Sequence, residues 1–286
     1  MVGKAAFVAL VGRPSAGKST LMNLICGVKI AIVSPVPQTT RDAIRGILTK
    51  PEGQLVFIDT PGRHISEKKP NKKLMNVSDR ALLDSDLVLY VLDSSRLPGP
   101  EEEAIAERLR NLQDRTVAAI NKTDAAGSDP EKTLAFIHEH LPALSASKCF
   151  KISCFKKEGI EALLECLFEM APAGDPSYPD EYYTDQELSF RISEIIREKA
   201  MVRLREELPH SINVEVADTE LRDDERSGKK RLWVRAFIIT ERESQKGMIV
   251  GKGGEMIKSI GQAARKELNS ILDWKVDLDL RVKSSG

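Results

Sequence analysis

Between residues 5 and 171, apolar positions follow two alternating rhythms. Short apolar runs at Phe7–Val11, Leu55–Ile58, Leu87–Leu92, Thr116–Ile120 and Cys149–Ile152 predict buried strands, with an edge strand near Ile44–Thr49. Helical spacing lies between them, at Thr20–Ile25, Lys72–Leu83, Glu101–Leu112, Pro130–His140 and Glu158–Met170. Strands alternating with helices predict a doubly wound α/β sheet with ligands at the carboxyl ends of its strands. The Pro-rich, polar stretch 172–184 breaks this rhythm and reads as a linker. Thr184-x-x-Glu187 then resembles a capping box opening a helix to about Glu207, with Leu188, Ile192, Ile195, Ile196, Ala200, Leu204 and Leu208 on one face. Strands follow at Ile212–Ala217 and Leu232–Thr240, joined by a charged loop over Asp218–Lys230. A helix over Gly254–Leu272 and a last strand over Lys275–Val282 complete a smaller α+β domain. The boundaries drawn are 1–172, a linker 173–184, and 185–286.

The first strand is followed by Gly12-Arg13-Pro14-Ser15-Ala16-Gly17-Lys18-Ser19, and Thr20 continues into a helix. This is the phosphate-loop pattern G-x-x-x-x-G-K-[ST] in its proper strand–turn–helix setting. Such a turn aims backbone N–H groups and a helix N-terminus at one point, where they bind phosphate. Lys18 adds a charge that can reach the β- and γ-phosphates, and Ser19 offers a hydroxyl to magnesium. A chance match arises in roughly 1 of 100 chains of this length, and the flanking elements lower that further.

Weaker motifs follow later strands in order. After Leu55–Ile58 comes Asp59-Thr60-Pro61-Gly62, whose carboxylate can hold magnesium through water and whose Gly62 N–H can bond a γ-phosphate. After Thr116–Ile120 comes Asn121-Lys122-Thr123-Asp124; the Asp124 carboxylate can accept two hydrogen bonds from guanine, which adenine cannot offer. After Cys149–Ile152, Ser153-Cys154 forms a small backbone turn suited to the guanine O6. Each motif alone is weak. Their order behind a phosphate loop makes them specific.

In the second domain, Met248–Ile257 contains I-G-x-x-G-x-x-I-like spacing, with Gly251-Lys252-Gly253-Gly254 between two apolar helical segments. Side-chain-free glycines let a sugar–phosphate backbone approach closely, and Lys252 supplies charge. Overall charge is balanced, with 43 basic and 43 acidic residues. Locally it is not: residues 226–258 hold nine Lys and Arg, Lys246 and Lys258 among them, against three acids. That is the footprint expected at a phosphate backbone. Four cysteines without a C-x-x-C pair predict free thiols, and no apolar run approaches the roughly 20 residues of a membrane span.

These motifs together resemble the Era family: a translation-factor-type P-loop GTPase domain followed by a type II KH domain, over nearly the whole chain. The segment Pro37-Gln38-Thr39-Thr40-Arg41 resembles that family's first switch, where a Thr completes the magnesium shell; the role carries to Thr40, with Thr39 as fallback. The resemblance implies GTP or GDP as ligand and Mg2+ as cofactor, held by Ser19, Thr40 and Asp59. Hydrolysis would be supported by Lys18, Thr40 and Gly62. It also implies a monomer that binds the 3′ region of small-subunit ribosomal RNA in assembly of the small ribosomal subunit. The implied location is the cytoplasm, with peripheral contact to the inner membrane face that no amphipathic helix here supports strongly. Three residues depart from the family pattern. Ser15 replaces an Asn that helps bind a monovalent cation, Arg63 replaces an apolar residue, and Cys154 replaces an Ala of the guanine turn. A non-catalytic RNA-binding chaperone with GTP as a structural ligand is the competing reading; an ATP-driven enzyme is disfavoured by Asp124.

Overall fold

The computed structural model describes residues 3–33, 43–60, 80–204, 212–224 and 228–285. Thr39, Thr40, Pro61, Gly62, Arg63, most of the helix expected over Lys72–Leu83 and the helix tail expected to Glu207 lie outside them. The described residues divide into two units. One holds residues up to Ala31 and from 43 to Asp185; the other holds Ile32, Val33 and residues from Gln186 onward.

In the first unit the strands are β1 (Lys4–Val11), β2 (Ile44–Lys50), β3 (Gly53–Asp59), β4 (Leu87–Asp93), β5 (Thr116–Asn121) and β6 (Cys149–Lys151). They form one sheet in the order β2-β3-β1-β4-β5-β6, parallel except for the expected edge strand β2, which pairs antiparallel with β3. The helices are α1 (Lys18–Cys26), α2 (Pro100–Leu109), α3 (Pro130–His140) and α4 (Ile160–Met170). Every residue of β4 is buried, as befits a central strand covered on both faces. Val88, Tyr90 and Leu92 of β4 share a core with Ile105, Ala106 and Leu109 of α2 and Ile137 of α3. Full burial of such side chains contributes about 1.5–3 kcal/mol each, and the same core takes in Ala9 and Val11 of β1 and Ala118 and Ile120 of β5 beneath the site.

Residues 172–184, read from the sequence as a linker, lie along the first unit as a strap. Ala5 donates to the Pro172 carbonyl and Ile47 to that of Tyr183. The buried Gln54 side chain accepts from the Ser177 and Tyr178 N–H groups and donates to the Tyr178 carbonyl. The strap thereby occupies backbone groups of the edge strand β2. It also undoes the expected capping box: the Thr184 hydroxyl donates to the Arg45 carbonyl at 2.8 Å. The next helix, α5 (Leu188–Arg203), instead starts from an extended Glu187 without a side-chain cap.

The second unit continues from α5 through β7 (Asn213–Asp224), β8 (Lys229–Thr240), α6 (Glu243–Val250), α7 (Glu255–Ile271) and β9 (Lys275–Ser284). This is the expected order of helix, two strands, two helices and strand. The sheet runs β7-β8-β9, with β8 antiparallel to β7 and parallel to β9. Leu232, Val234, Ala236 and Ile238 alternate into a core with Ile192 and Ile196 of α5 and Ile260, Ala264 and Leu268 of α7. The charged loop expected over Asp218–Lys230 is mostly strand. Pairing runs on to Asp224 opposite Lys229, past a bulge between Val216 and Asp218. The β7 side chains from Ala217 to Asp223 are exposed, so the period-2 apolar signal vanishes while the ladder persists. Side-chain contacts support it, with the Arg222 guanidinium of β7 and the Arg235 guanidinium of β8 itself over the Trp233 ring at 4.2 and 4.9 Å.

Candidate nucleotide site and nucleic-acid interface

The phosphate loop leaves β1 at Gly12 and enters α1 at Lys18. Two glycines are required by contact. A Cβ on Gly12 would lie 2.3 Å from the Val91 carbonyl oxygen, and one on Gly17 would lie 2.3 Å from Asn121 Nδ2. Both also have positive φ, 154° and 102°. Gly17 caps α1 without a side chain, so the N–H groups of its first turn face the loop's interior. Lys18 is buried, and its Nζ donates to the Gly12 and Arg13 carbonyls at 2.9 and 3.0 Å. Burial lowers its pKa, while Asp59 and Glu101 act in the opposite direction. Arg13 does not turn its side chain to the loop's interior; its guanidinium lies at 3.4 Å from Asp93 and 3.0 Å from Glu102.

Asp59 ends β3 fully buried, and its Oδ2 accepts from the Ser19 hydroxyl at 2.5 Å. Two hard oxygen donors converge beside the phosphate loop, a set that fits Mg2+. Thr60, the next residue, donates its hydroxyl to the Leu10 carbonyl and ties the end of β3 to β1. Thr40, Pro61 and Gly62, the remaining residues of the expected magnesium and γ-phosphate set, lie outside the described residues.

The guanine motifs converge from two strand ends. Asn121 ends β5; its Nδ2 donates to the Ala16 carbonyl at 2.9 Å, and its Oδ1 accepts from the Cys154 N–H at 3.3 Å. Lys122 has φ 63°, and its Nζ bonds Asp93 Oδ2 at 2.8 Å. The Ser153 hydroxyl donates to Asp124 Oδ1 at 2.5 Å and accepts from the Lys156 N–H. That leaves the Asp124 carboxylate held from one side, with acceptor capacity for a base. Cys154 sits half-buried in this turn, and burial pushes its thiol up to about 11. The structure thus brings residues 12–19, Asp59, Thr60, residues 121–124, Ser153 and Cys154 to one edge of the sheet. Asp93 and Glu102, bound to Arg13, were missed from the sequence. The available sign was that Asp93 ends an apolar strand just as Asp59 and Asn121 do.

In the second unit, α6 ends at Gly251 (φ 74°), and a tight turn over Lys252–Gly254 leads into α7. A Cβ on Gly251 would lie 2.7 Å from that of Met256, so this glycine is demanded by packing. Gly253 and Gly254, at φ 60° and 81°, face open space, and Lys252 is exposed. Of the other basic residues proposed for the interface, Lys246 pairs with Glu243 at 3.1 Å, and Lys258 lies exposed one turn into α7. Arg231 and Arg235 pair with Asp277 and Asp279 on the sheet, so part of the local basic excess is neutralised there.

The fold and site define a P-loop nucleotide-binding domain with guanine motifs, joined to a KH domain. Residues 7–122 match the family described as 50S ribosome-binding GTPase, and residues 207–284 match the KH domain family. GTPase Era of Treponema denticola is 48% identical over 276 residues, covering 96% of this chain and 92% of that protein. A crystal structure of an Aquifex aeolicus Era variant bound to GDP and AlF4− superposes with a TM-score of 0.89 at 34% identity, covering 98% of this chain and 94% of that one. Era in complex with MgGDPNP and nucleotides 1506–1542 of 16S ribosomal RNA gives the same TM-score and identity, covering 99% and 94%. The chain belongs to the GTPase Era family.

Proposed function

We propose that this protein binds GTP with Mg2+, hydrolyses it to GDP and phosphate, and binds the 3′ region of 16S ribosomal RNA in maturation of the small ribosomal subunit. The observation that carries this reading is the near full-length likeness to an Era structure holding both MgGDPNP and nucleotides 1506–1542 of 16S ribosomal RNA.

The loop Gly12–Thr20 binds the phosphates through backbone N–H groups and Lys18. Asp124 reads the guanine edge, Asn121 and Lys122 hold its loop in place, and Ser153 and Cys154 close the turn at the base. Ser19 and Asp59, with Thr40, would hold the metal, and in the motif Asp59-Thr60-Pro61-Gly62 the Gly62 N–H would bond the γ-phosphate. Magnesium, when bound, supplies charge neutralisation at the phosphate oxygens. The protein's own part is positioning and a fixed field of N–H groups and cations. The KH domain, residues 185–286, clamps single-stranded RNA at Gly251–Gly254, with Lys246, Lys252 and Lys258 supplying charge. The GTPase domain, residues 1–172, times the release of that RNA.

No helix among the described residues is long and apolar enough to cross a membrane. The protein works as a monomer in the cytoplasm, and any membrane contact is peripheral.

The test is phosphate release from GTP, with and without an RNA covering the 3′ end of the small-subunit ribosomal RNA. RNA-stimulated turnover supports the reading. Tight GTP and RNA binding without turnover would point instead to a chaperone that uses GTP as a structural ligand.

A further inference from the structure

Asp93 ends β4 directly opposite Asn121 in the parallel register of β4 and β5. Its two carboxylate oxygens are divided between two tasks. Oδ1 accepts from the Ser95 N–H at 3.0 Å and the Ser95 hydroxyl at 2.5 Å, which orients the group. Oδ2 takes the Lys122 ammonium at 2.8 Å and lies 3.4 Å from Arg13 Nη2. Glu102 is divided in the same way: one oxygen accepts from the Gly99 N–H and the other lies 3.0 Å from Arg13 Nε. Two cations and two carboxylates are thus balanced in a cluster where Asp93 is only 2% exposed.

We propose that Asp93 is a positioning residue for the guanine nucleotide, one carboxylate that holds the guanine-loop Lys122 and the phosphate-loop Arg13 in a common register. The inference rests on the assignment of these two loops as the GTP site. Lys122 occupies a left-handed backbone conformation that a non-glycine residue adopts only when its surroundings hold it there, and the contact with Asp93 does so from the side-chain end. Arg13, the second residue of the phosphate loop, lies within ion-pair distance of the same oxygen at 3.4 Å without a hydrogen bond to it, while Glu102 holds its Nε at 3.0 Å. A nucleotide must satisfy Asp124 with its base and Lys18 with its phosphates at once, so its affinity depends on the spacing of the two loops. Burial would raise the Asp93 carboxyl, yet hydrogen bonds from Lys122 and Ser95 hold it below the usual carboxylate range. It is therefore an anion wherever the protein works.

A purely structural ion cluster would lower stability when broken but would not act through Lys122. The experiment is a double-mutant cycle on the full chain, read by titration with a fluorescent GDP and by thermal unfolding. Asp93→Asn and Lys122→Met should each weaken GDP binding about tenfold or more, the loss expected for one charge-assisted hydrogen bond. In the Lys122→Met background, Asp93→Asn should cost less than about threefold further, because its hydrogen-bonded partner is already gone and only the longer ion pair with Arg13 is left to lose. Effects that simply multiply, or an Asp93→Asn protein that binds GDP within about threefold of the native one, would overturn the proposal. Should Asp93→Asn fail to fold, Asp93→Glu keeps the charge and displaces it by one methylene, and the same non-additivity is expected of it. Unchanged GDP binding in Lys122→Met alone would sink the site assignment together with this inference; a weakened Lys122→Met beside an unaffected Asp93 variant would sink the inference alone.

Discussion

Asn121 donates from its carboxamide to the Ala16 carbonyl at 2.9 Å, across 105 residues of chain, and so fastens the guanine loop to the phosphate loop. The contact is fully buried, and the same nitrogen would lie only 2.3 Å from a Cβ on Gly17. Truncation to Asn121→Ala strands the Ala16 carbonyl and releases the Cys154 N–H. A buried group left without its partner costs about 1–3 kcal/mol, so GTP and GDP should both bind roughly ten- to a hundredfold more weakly. Fluorescent-nucleotide titration reads this directly; affinity within a factor of two of the native protein would remove Asn121 from the site.

Gly17→Ala approaches the same contact from the other side. The new methyl meets the Asn121 amide, and φ 102° is a conformation that L side chains rarely adopt. The loop must shift to accept it, so nucleotide binding should fall more than about tenfold with a loss of stability of about 1–3 kcal/mol. Thermal melts with and without GDP separate the two: the native protein should gain stability from GDP, and this variant should gain little.

Guanine selectivity should reside in Asp124, whose carboxylate is steadied by the Ser153 hydroxyl. Asp124→Asn replaces part of an acceptor pair with a donor. GTP affinity should collapse, and xanthosine nucleotides should bind better than guanosine ones. A variant that still prefers GTP would place the base elsewhere.

Ser19→Ala removes the hydroxyl that meets Asp59, while the Lys18 cation and the loop amides stay. Binding of GTP should become insensitive to magnesium, and turnover should fall by at least about a hundredfold, since charge neutralisation carries most of phosphoryl-transfer catalysis. Titration of activity against Mg2+ is the measurement. A native-like magnesium dependence would mean that the metal is held by other groups.

RNA binding should depend on the turn at Gly251–Gly254 and be separable from hydrolysis. Gly253 faces open space at φ 60°, a region that Asp tolerates better than most residues, and Lys252 is exposed. Lys252→Asp with Gly253→Asp should therefore fold, bind GTP and hydrolyse it at the basal rate. It should lose RNA affinity and any stimulation by RNA, because two carboxylates now face the phosphate strand. In the native protein log K should fall with log salt by about 0.7 per phosphate contact. Equal RNA affinity of native and double variant, at moderate salt, would refute the KH assignment.

The sequence by itself determined the order of strands and helices, the edge placement of β2 and the positions of the phosphate and guanine motifs. Each of these is local. Burial of a strand on both faces writes a continuous apolar run, a helix writes period 3.6, and a phosphate nest needs its glycines within one turn. The tertiary structure decided what depends on partners distant in sequence. Strands β7 and β8 run on through the charged segment because a hydrogen-bonded ladder needs no apolar face once both of its sides meet water. Thr184 reads as a cap, yet the strap along β2 offers its hydroxyl the Arg45 carbonyl instead. Arg13 looks like a phosphate ligand, but two carboxylates from β4 and α2 hold its side chain away. No local pattern encodes that choice, because Asp93 and Glu102 reach Arg13 only after β1 and β4 have paired and α2 has packed against them.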